Sequence, residues 1–173
     1  MLPHLVHVHQ MDALAMSFPA KYFDHVLGIE AIYHLKDKKT LFAKIKEVLK
    51  PGGYLVFSDY TLETPYSWLL YEVATEMVES KHLIGIDDYH EMLSNAGFIG
   101  INSIDVTKNT MMKTFEYEKD ENYRNVKEYV RVNYGIFSYL LVSLLVPVIT
   151  YLLLEGVKNN KLTLQFISCE NDC

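Results

Sequence analysis

Two short apolar runs on either side of one amphipathic helix constrain the fold of this chain more than any other feature. The first run is "FDHVLGI", residues 23 to 29, and the second is "YLVFS", residues 54 to 58. Between them, apolar residues recur at helical spacing after Asp37, a residue type that favours helix starts. These apolar residues are Leu41, Phe42, Ile45, Val48 and Leu49. "KPGG", residues 50 to 53, ends that helix. This order predicts two parallel strands joined by a crossover helix.

The rest of the chain continues the alternation of strands and helices. We predict a helix with Thr64 as its cap and Pro65 at its first position, running to about Ser80. Asp87 is predicted to cap a shorter helix that Gly97 ends. Further strands are predicted at residues 5–9, 98–107 and 161–169, and a helix in two pieces at residues 121–157. The whole pattern is typical of an α/β domain with a largely parallel sheet.

Composition excludes several classes of protein. A chain of 173 residues suits one domain, and a formal net charge of −6 argues against a nucleic-acid partner. The only cysteines, Cys169 and Cys173, form no disulfide framework, so we expect a reducing, cytoplasmic setting. His4, His7 and His9 have no acidic neighbours, and we predict no metal site there.

One segment raises the alternative of membrane association. "YGIFSYLLVSLLVPVITYLLL", residues 134–154, carries no charge and is long enough to span a bilayer. Pro147 interrupts it, which a membrane helix tolerates better than a soluble one. Two interpretations therefore stay open: a segment that spans or lies in a membrane, or a buried helix pair broken near Pro147.

Polar residues follow three of the predicted strands. Asp12 follows the first, Glu30 to His34 follow the second, and Asp59 and Tyr60 follow the third. A single acid at a strand end is usually a turn or a helix cap. Because ligands of open parallel sheets bind at the carboxyl ends of strands, three such ends predict a polar site.

Residues 9–60, "HQMDALAMSFPAKYFDHVLGIEAIYHLKDKKTLFAKIKEVLKPGGYLVFSDY", resemble the middle of class I S-adenosylmethionine-dependent methyltransferases, most closely the small-molecule branch called type 11. The matching pieces include "D-A", "F-D-x-V", "E-A-I-Y-H-L-x-D-K" and "V-L-K-P-G-G-x-L-V-x-S-D". "YHEMLSNAGF", residues 89–98, fits a later helix-to-strand junction of the family, and "LTLQFISC" fits its last, antiparallel strand.

The resemblance implies an α/β fold: a partial Rossmann-like class I methyltransferase sheet that lacks its first two strands. An apolar helical segment would precede the final antiparallel strand. Residues 1–173 would form a single incomplete domain. Its parts would be the core, residues 5–107; a helical lid or membrane-associated segment, residues 108–160; and the last strand, residues 161–169.

The resemblance also implies a binding site for the cofactor S-adenosyl-L-methionine. Asp12 matches the acid that accepts a hydrogen bond from the adenine amino group, with the backbone of Ala13 beside it. Glu30 and Ala31 fall where the strand end lies against the methionine part of the cofactor.

Four other residues match positions that face the methyl acceptor: Tyr33, His34, Asp59 and Tyr60. His34 is a reasonable base near neutral pH, since acceptor deprotonation assists methyl transfer. Tyr33 and Tyr60 could hold a cationic amine over their rings or orient a hydroxyl. The alternative for His34 is an imidazole bonded to a backbone carbonyl at a helix start.

The chain has eight glycines and no Gly-x-Gly, the turn that approaches the cofactor in this family. Residue 1 lies just before the family's third strand, and the family's sheet order is 3-2-1-4-5-7-6. Without strand 1 as neighbour, residues 23–29 are expected to form an exposed apolar edge. Residues 5–9 are then expected to pair beside that strand or to pack loosely.

We therefore expect methyl transfer from S-adenosylmethionine to a small-molecule or lipid-like N, O or C acceptor, with this chain inactive in isolation. The chain would be a fragment of a longer enzyme, because residues 12, 30, 34 and 59 still carry the chemistry of a site. The alternative is a genuine short protein that lost catalysis and acts as an interaction or membrane-associated protein. Its oligomeric state does not follow from the sequence.

Overall fold

The computed structural model describes residues 6–77, 79–111, 128–129, 131–133, 135–136, 140, 151–152 and 155–172. The strands are β1 (Phe23–Ile29), β2 (Leu49–Leu62), β3 (Phe98–Asp105) and β4 (Leu162–Asn171). The helices are α1 (Lys38–Val48), α2 (Trp68–Met77) and α3 (Ile86–Asn95), and short 3-10 helices lie at Ala13–Ala15, Ile32–His34 and Thr107–Asn109.

The predicted strand–helix–strand unit is confirmed. The Asp37 carboxylate accepts a hydrogen bond from the Thr40 backbone N–H at 3.0 Å and so caps α1. The buried residues of α1 include Leu41, Phe42 and Ile45, which form the predicted apolar stripe. β1 and β2 pair in parallel from His25 opposite Tyr54 to Ile29 opposite Ser58.

β2 is longer than predicted and contains the "KPGG" turn. The strand begins at Leu49, and its register with β1 shifts between Phe23 and His25. A Cβ on Gly53 would lie 2.8 Å from the Asp24 carbonyl oxygen, so only glycine fits this irregular pairing. The turn therefore redirects the chain inside the strand rather than before it.

The sheet order is β1-β2-β4-β3, with β4 antiparallel to both of its neighbours. This order reproduces the 4-5-7-6 half of the expected sheet, including the final antiparallel strand. β1 forms one edge, as predicted: Leu27 is 71% exposed and Ile29 is 78% exposed. These two side chains leave an apolar strip on the surface of the described sheet.

Side chains that alternate along β2 and β4 build two cores on opposite faces of the sheet. On one face Leu55, Phe57 and Ile167 pack with α1 and α3. On the other face Leu62, Leu162 and Leu164 pack with Leu70 and Ala74 of α2 and with Val157. The carboxyl end of β2 thus lies between helices on both sides, whereas one face of β1 stays exposed at Leu27 and Ile29.

Two predicted helix starts were wrong. α2 begins at Trp68 rather than after Thr64, because the Ser67 hydroxyl accepts the Leu70 backbone N–H at 3.1 Å. Asp87 lies inside α3 and does not cap it. The helix starts after Gly85, whose backbone N–H bonds to the Asp88 carboxylate at 3.1 Å.

The predicted strand at residues 5–9 was also wrong over the described part, residues 6–9. These residues form no strand and are exposed, with Val8 92% accessible to solvent. The alternative of loose packing is therefore confirmed for them. A strand is held by a hydrogen-bonded neighbour, and β1 pairs only with β2 in the described sheet.

Most of the charge-free segment 134–154 lies outside the described residues, as do most residues of the predicted helix 121–157. Within the described ranges, no helix combines the length and the apolar character needed to cross a bilayer.

Candidate functional site

The candidate site begins where β1 ends. Glu30 follows the last strand residue with φ of +45°, a left-handed conformation that turns the chain sharply. Its backbone N–H still donates to the Ser58 carbonyl of β2 at 2.8 Å, so the turn stays attached to the sheet. The 3-10 helix Ile32–His34 follows at once. We call residues 30–35 the strand-end turn.

The strand-end turn carries a group of aromatic rings. The Tyr33 ring lies 4.1 Å from the His34 ring and 5.4 Å from the Tyr60 ring, centroid to centroid. Tyr33 is buried and Tyr60 is half-buried, whereas His34 is exposed. Three of the four predicted acceptor-facing residues therefore meet at one place, with the imidazole accessible from outside.

Both phenols of this group are held in the neutral form. Burial raises the pKa of Tyr60 to about 12, and the negative charge of Glu30 and a hydrogen-bonding interaction with it act in the same direction. Burial also raises the pKa of Tyr33, followed by the charges of Glu30, Asp59 and Glu79. At neutral pH both hydroxyls can therefore donate hydrogen bonds.

The fourth predicted residue, Asp59, is completely buried. Its Oδ2 atom accepts a hydrogen bond of 2.5 Å from the Tyr89 hydroxyl of α3. The backbone amides of Tyr33 and Ile32 face the carboxylate and lower its pKa, yet neither makes a hydrogen bond of normal geometry to Oδ1. Burial is the largest effect and raises the Asp59 pKa to about 6.

Lys38 lies behind the same turn. Its ammonium is buried and donates to the Leu35 carbonyl at 2.7 Å and the His82 carbonyl at 2.8 Å. A longer hydrogen bond of 3.4 Å reaches the Tyr33 carbonyl. Burial lowers the pKa of Lys38 to about 8, and the nearby Asp59 charge opposes this shift. The turn therefore rests on a pair of buried opposite charges.

The residues predicted to bind the cofactor occupy two places. Glu30 and Ala31 belong to the strand-end turn and are exposed. Asp12 precedes the 3-10 helix Ala13–Ala15, and its carboxylate accepts the Leu14 backbone N–H at 2.9 Å. Ala13 packs against the larger core. Glu30 is thus joined to the aromatic group, whereas Asp12 and Ala13 lie on the separate segment that precedes β1.

No pattern in the sequence singled out the supporting residues Lys38, Ser80 and Tyr89. Lys38 belongs to the motif "E-A-I-Y-H-L-x-D-K" and Tyr89 to "YHEMLSNAGF". Both residues are ordinary in a helix, so nothing in the sequence marked either of them as part of a site. Ser80 was predicted only as a helix end. Lys38 lies three residues after the turn, whereas Ser80 and Tyr89 come from distant parts of the chain and reach it only through the tertiary fold.

The residues present fit part of a cofactor site. Asp12 and Glu30 supply exposed carboxylates on loops at the strand ends. Within the described ranges no Gly-x-Gly turn provides the close backbone approach that a nucleotide-like cofactor uses. The described residues also contain no group of three or more metal-ligating side chains.

Comparison with known proteins identifies relatives. A family model for the methyltransferase domain matches residues 2–57. O-methyltransferase cnsE of Penicillium expansum is 36% identical over 106 residues, which are 60% of this chain and 38% of that relative. Phosphoethanolamine N-methyltransferase 1 of Zea mays is 30% identical over 126 residues, which are 68% of this chain and 24% of that relative.

Solved structures show the same fold. Phosphoethanolamine N-methyltransferase 2 of Haemonchus contortus, in complex with S-adenosyl-L-methionine, superposes with a TM-score of 0.72 at 22% identity, covering 94% of this chain and 36% of that one. Geranyl diphosphate C-methyltransferase of Streptomyces coelicolor gives a TM-score of 0.66 at 13% identity, covering 94% and 52%.

The chain spans well under half of the two curated relatives, 38% and 24% of their lengths. The family match covers β1, α1 and the first part of β2, the elements that form the strand-end turn. The order of the four described strands, β1-β2-β4-β3, corresponds to 4-5-7-6 of the sheet order expected from the resemblance. Over residues 2–57 the chain is similar to the methyltransferase domain, and its described part has the fold of solved methyltransferases.

Proposed function

We propose that this chain forms the acceptor-facing wall of a methyltransferase that uses S-adenosyl-L-methionine and acts on a small-molecule acceptor. One observation carries the proposal: Glu30, Tyr33, His34 and Tyr60 meet at the carboxyl ends of two parallel strands. Such strand ends are where open α/β sheets bind ligands. The similarity to an O-methyltransferase and to a methyltransferase solved in complex with S-adenosyl-L-methionine supports the reaction class and the cofactor.

The bound cofactor would supply an electrophilic methyl group on a sulfonium. Asp12, with the backbone of Ala13, would bind the adenine, and Glu30 with Ala31 would lie against the methionine part. Of these four residues, Asp12, Glu30 and Ala31 are exposed and Ala13 is half-buried. Glu30 would also connect the cofactor side to the acceptor side, because it interacts with the Tyr60 side chain.

The acceptor side would use His34 as the base that takes the acceptor's proton. His34 is exposed and rests against Tyr33, so it can reach a bound molecule while keeping a defined orientation. The neutral Tyr33 and Tyr60 phenols would position the acceptor through hydrogen bonds or through their ring faces. Because Asp59 is completely buried, we propose that it supports the turn from behind.

The substrates named for relatives suggest which kinds of molecule the acceptor resembles. The chain is similar to phosphoethanolamine N-methyltransferases and, over 49 residues at 45% identity, to 2-methyl-6-phytyl-1,4-hydroquinone methyltransferase of Synechocystis. We propose an N, O or C acceptor that is either small or lipid-like. Residues 61–85 and 108–160 would determine which acceptor binds.

Calorimetric titration with S-adenosyl-L-methionine tests the proposal. We expect weak or no binding by the 173-residue chain and clear binding by a form extended upstream with a strand and a glycine-rich turn.

In that form, His34→Ala should lower methyl transfer about a hundredfold, the usual effect of losing a general base. His25→Ala is the matched control, because His25 is exposed on β1 away from the turn. An extended form that binds no cofactor, or that keeps full activity without His34, would disprove the proposal.

A second candidate is a non-catalytic protein that binds a partner or a membrane. The exposed apolar strip of β1 favours it, because such an edge can pair with another chain. Failure of the extended form to bind the cofactor would favour this candidate. For membrane association through residues 134–154, release by an alkaline wash of a membrane fraction would exclude a spanning segment.

A further inference from the structure

Residues on both sides of the strand-end turn hold its backbone in place. The Tyr33 carbonyl accepts a hydrogen bond of 2.8 Å from the Ser80 hydroxyl and a longer one of 3.4 Å from the Lys38 ammonium. Lys38 also bonds the Leu35 carbonyl at 2.7 Å. We call Lys38 and Ser80 together the clamp.

The clamp also reaches the segment that follows α2. The Lys38 ammonium donates to the His82 carbonyl at 2.8 Å, and the Ser80 hydroxyl accepts the His82 backbone N–H at 3.2 Å. Both clamp side chains therefore bridge the strand-end turn and residues 80–82. Both clamp side chains are buried, and so are their hydrogen bonds to the Tyr33 carbonyl, whereas the hydrogen bonds to Leu35 and His82 are partly buried.

A buried ammonium is costly to place unless several acceptors surround it. Lys38 is 3% exposed and is satisfied by three carbonyls, with the Asp59 carboxylate as the nearby opposite charge. An apolar side chain at this position would fill space at lower cost. Unlike an apolar side chain, the lysine ammonium binds three carbonyl groups and holds them in place, and two of these carbonyls belong to the turn.

We propose that Lys38 and Ser80 are positioning residues that set the direction of the Tyr33 and His34 side chains and couple them to the segment after α2. The Tyr33 carbonyl belongs to the planar peptide group that joins these two residues. Holding that group from two sides therefore orients both rings at the acceptor side of the site. This inference rests on the proposed function of His34 and Tyr33.

Hydrogen exchange and NMR on the 173-residue chain test the clamp without cofactor or methyl transfer. The Leu35 backbone N–H bonds to the Ile32 carbonyl at 3.0 Å and reports on closure of the turn. In Ser80→Ala we expect this amide to exchange about five- to tenfold faster, the factor for loss of one ordinary hydrogen bond. The contact between the Tyr33 and His34 rings, seen as cross-relaxation, should weaken. Lys38→Met should produce the same local changes to a larger extent.

Matched controls are Ser94→Ala and Lys39→Met, which change an exposed serine of α3 and the exposed neighbour of Lys38. Both should leave Leu35 exchange and the ring contact unchanged. The central-strand amides of Phe57 and Ile167 separate local from global effects. The proposal is overturned if Ser80→Ala leaves the turn unchanged, or if it speeds exchange at Phe57 and Leu35 by the same factor. A failure to methylate any acceptor would count against the proposed function and leave the clamp standing.

Discussion

At the scale of single residues, the site combines exposed side chains that can meet a ligand with buried charged side chains that support them. His34 and Glu30 are accessible, while Asp59 and Lys38 are buried beneath the turn. Asp59 points to the face of the sheet that carries α1 and α3, where Tyr89 binds it. Tyr60, the next residue along β2, points to the opposite face and joins the aromatic group. Strand alternation thus separates two neighbours that sequence analysis had assigned to one surface.

Asp59 should give the protein a pH-dependent stability between about pH 4 and pH 6. Its pKa is raised from 3.8 to about 6, so the folded state binds more protons than the unfolded state in this window. The free energy of unfolding should therefore fall as the pH rises through 6, by on the order of 2–3 kcal/mol. Asp59→Asn removes this dependence, which urea unfolding at several pH values can measure.

The control for this prediction is Asp24→Asn. The Lys50 hydrogen bond and charge lower the pKa of the exposed Asp24, so its contribution to stability has the opposite sign and is lost on acidification. Parallel pH curves for the wild type and Asp59→Asn would contradict the position we assign to the Asp59 carboxylate.

At the scale of elements, the residue at which each helix begins is determined by the side-chain hydrogen bonds made there, and residue type alone does not predict it. Asp37 was predicted as a cap and is one. Thr64 and Asp87 have the same preference for caps, but other groups satisfy the N-terminal N–H groups of α2 and α3. The sequence shows which residues can cap a helix, whereas the direction in which the chain enters each helix decides which one does.

Asp37→Ala should lower the free energy of unfolding by about 1 kcal/mol, because it removes the hydrogen bond to the Thr40 backbone N–H. Asp87→Ala should cost about 0.5 kcal/mol or less, since only its favourable position in the first turn of α3 is lost. Chemical denaturation of both variants measures the difference. Equal losses would show that Asp87 has a capping role the structure does not contain.

At the scale of the whole molecule, the described sheet is covered on both faces at its central strands, and no described strand pairs with the outer edge of β1. The cores of Leu55, Phe57 and their neighbours and of Leu62, Leu162 and Leu164 protect the central strands. Leu27 and Ile29 stay exposed on the edge strand. Unpaired backbone groups beside exposed apolar side chains favour pairing with another strand. We therefore expect the chain to self-associate through β1.

The double variant Leu27→Lys and Ile29→Lys should reduce self-association, because charged side chains on an edge oppose strand pairing. Sedimentation velocity at several protein concentrations measures the change. The control adds the same two charges at exposed helix positions, Ala43→Lys and Asn95→Lys. Since both double variants lower the net negative charge equally, a similar effect in both would mean that β1 is not the contact.

The sequence by itself determined the strand–helix–strand unit, the apolar edge and the likeness to methyltransferases. Each follows from local periodicity or from contiguous motifs such as "EAIYHL" and "KPGG". Only the tertiary structure decided which polar residues meet: it joined Tyr60 to Glu30, Tyr33 and His34, buried Asp59 against Tyr89, and brought Ser80 to the Tyr33 carbonyl. The reason is physical, since periodicity reports which face of an element is apolar, whereas the partner of a buried polar group depends on contacts between residues far apart in the chain.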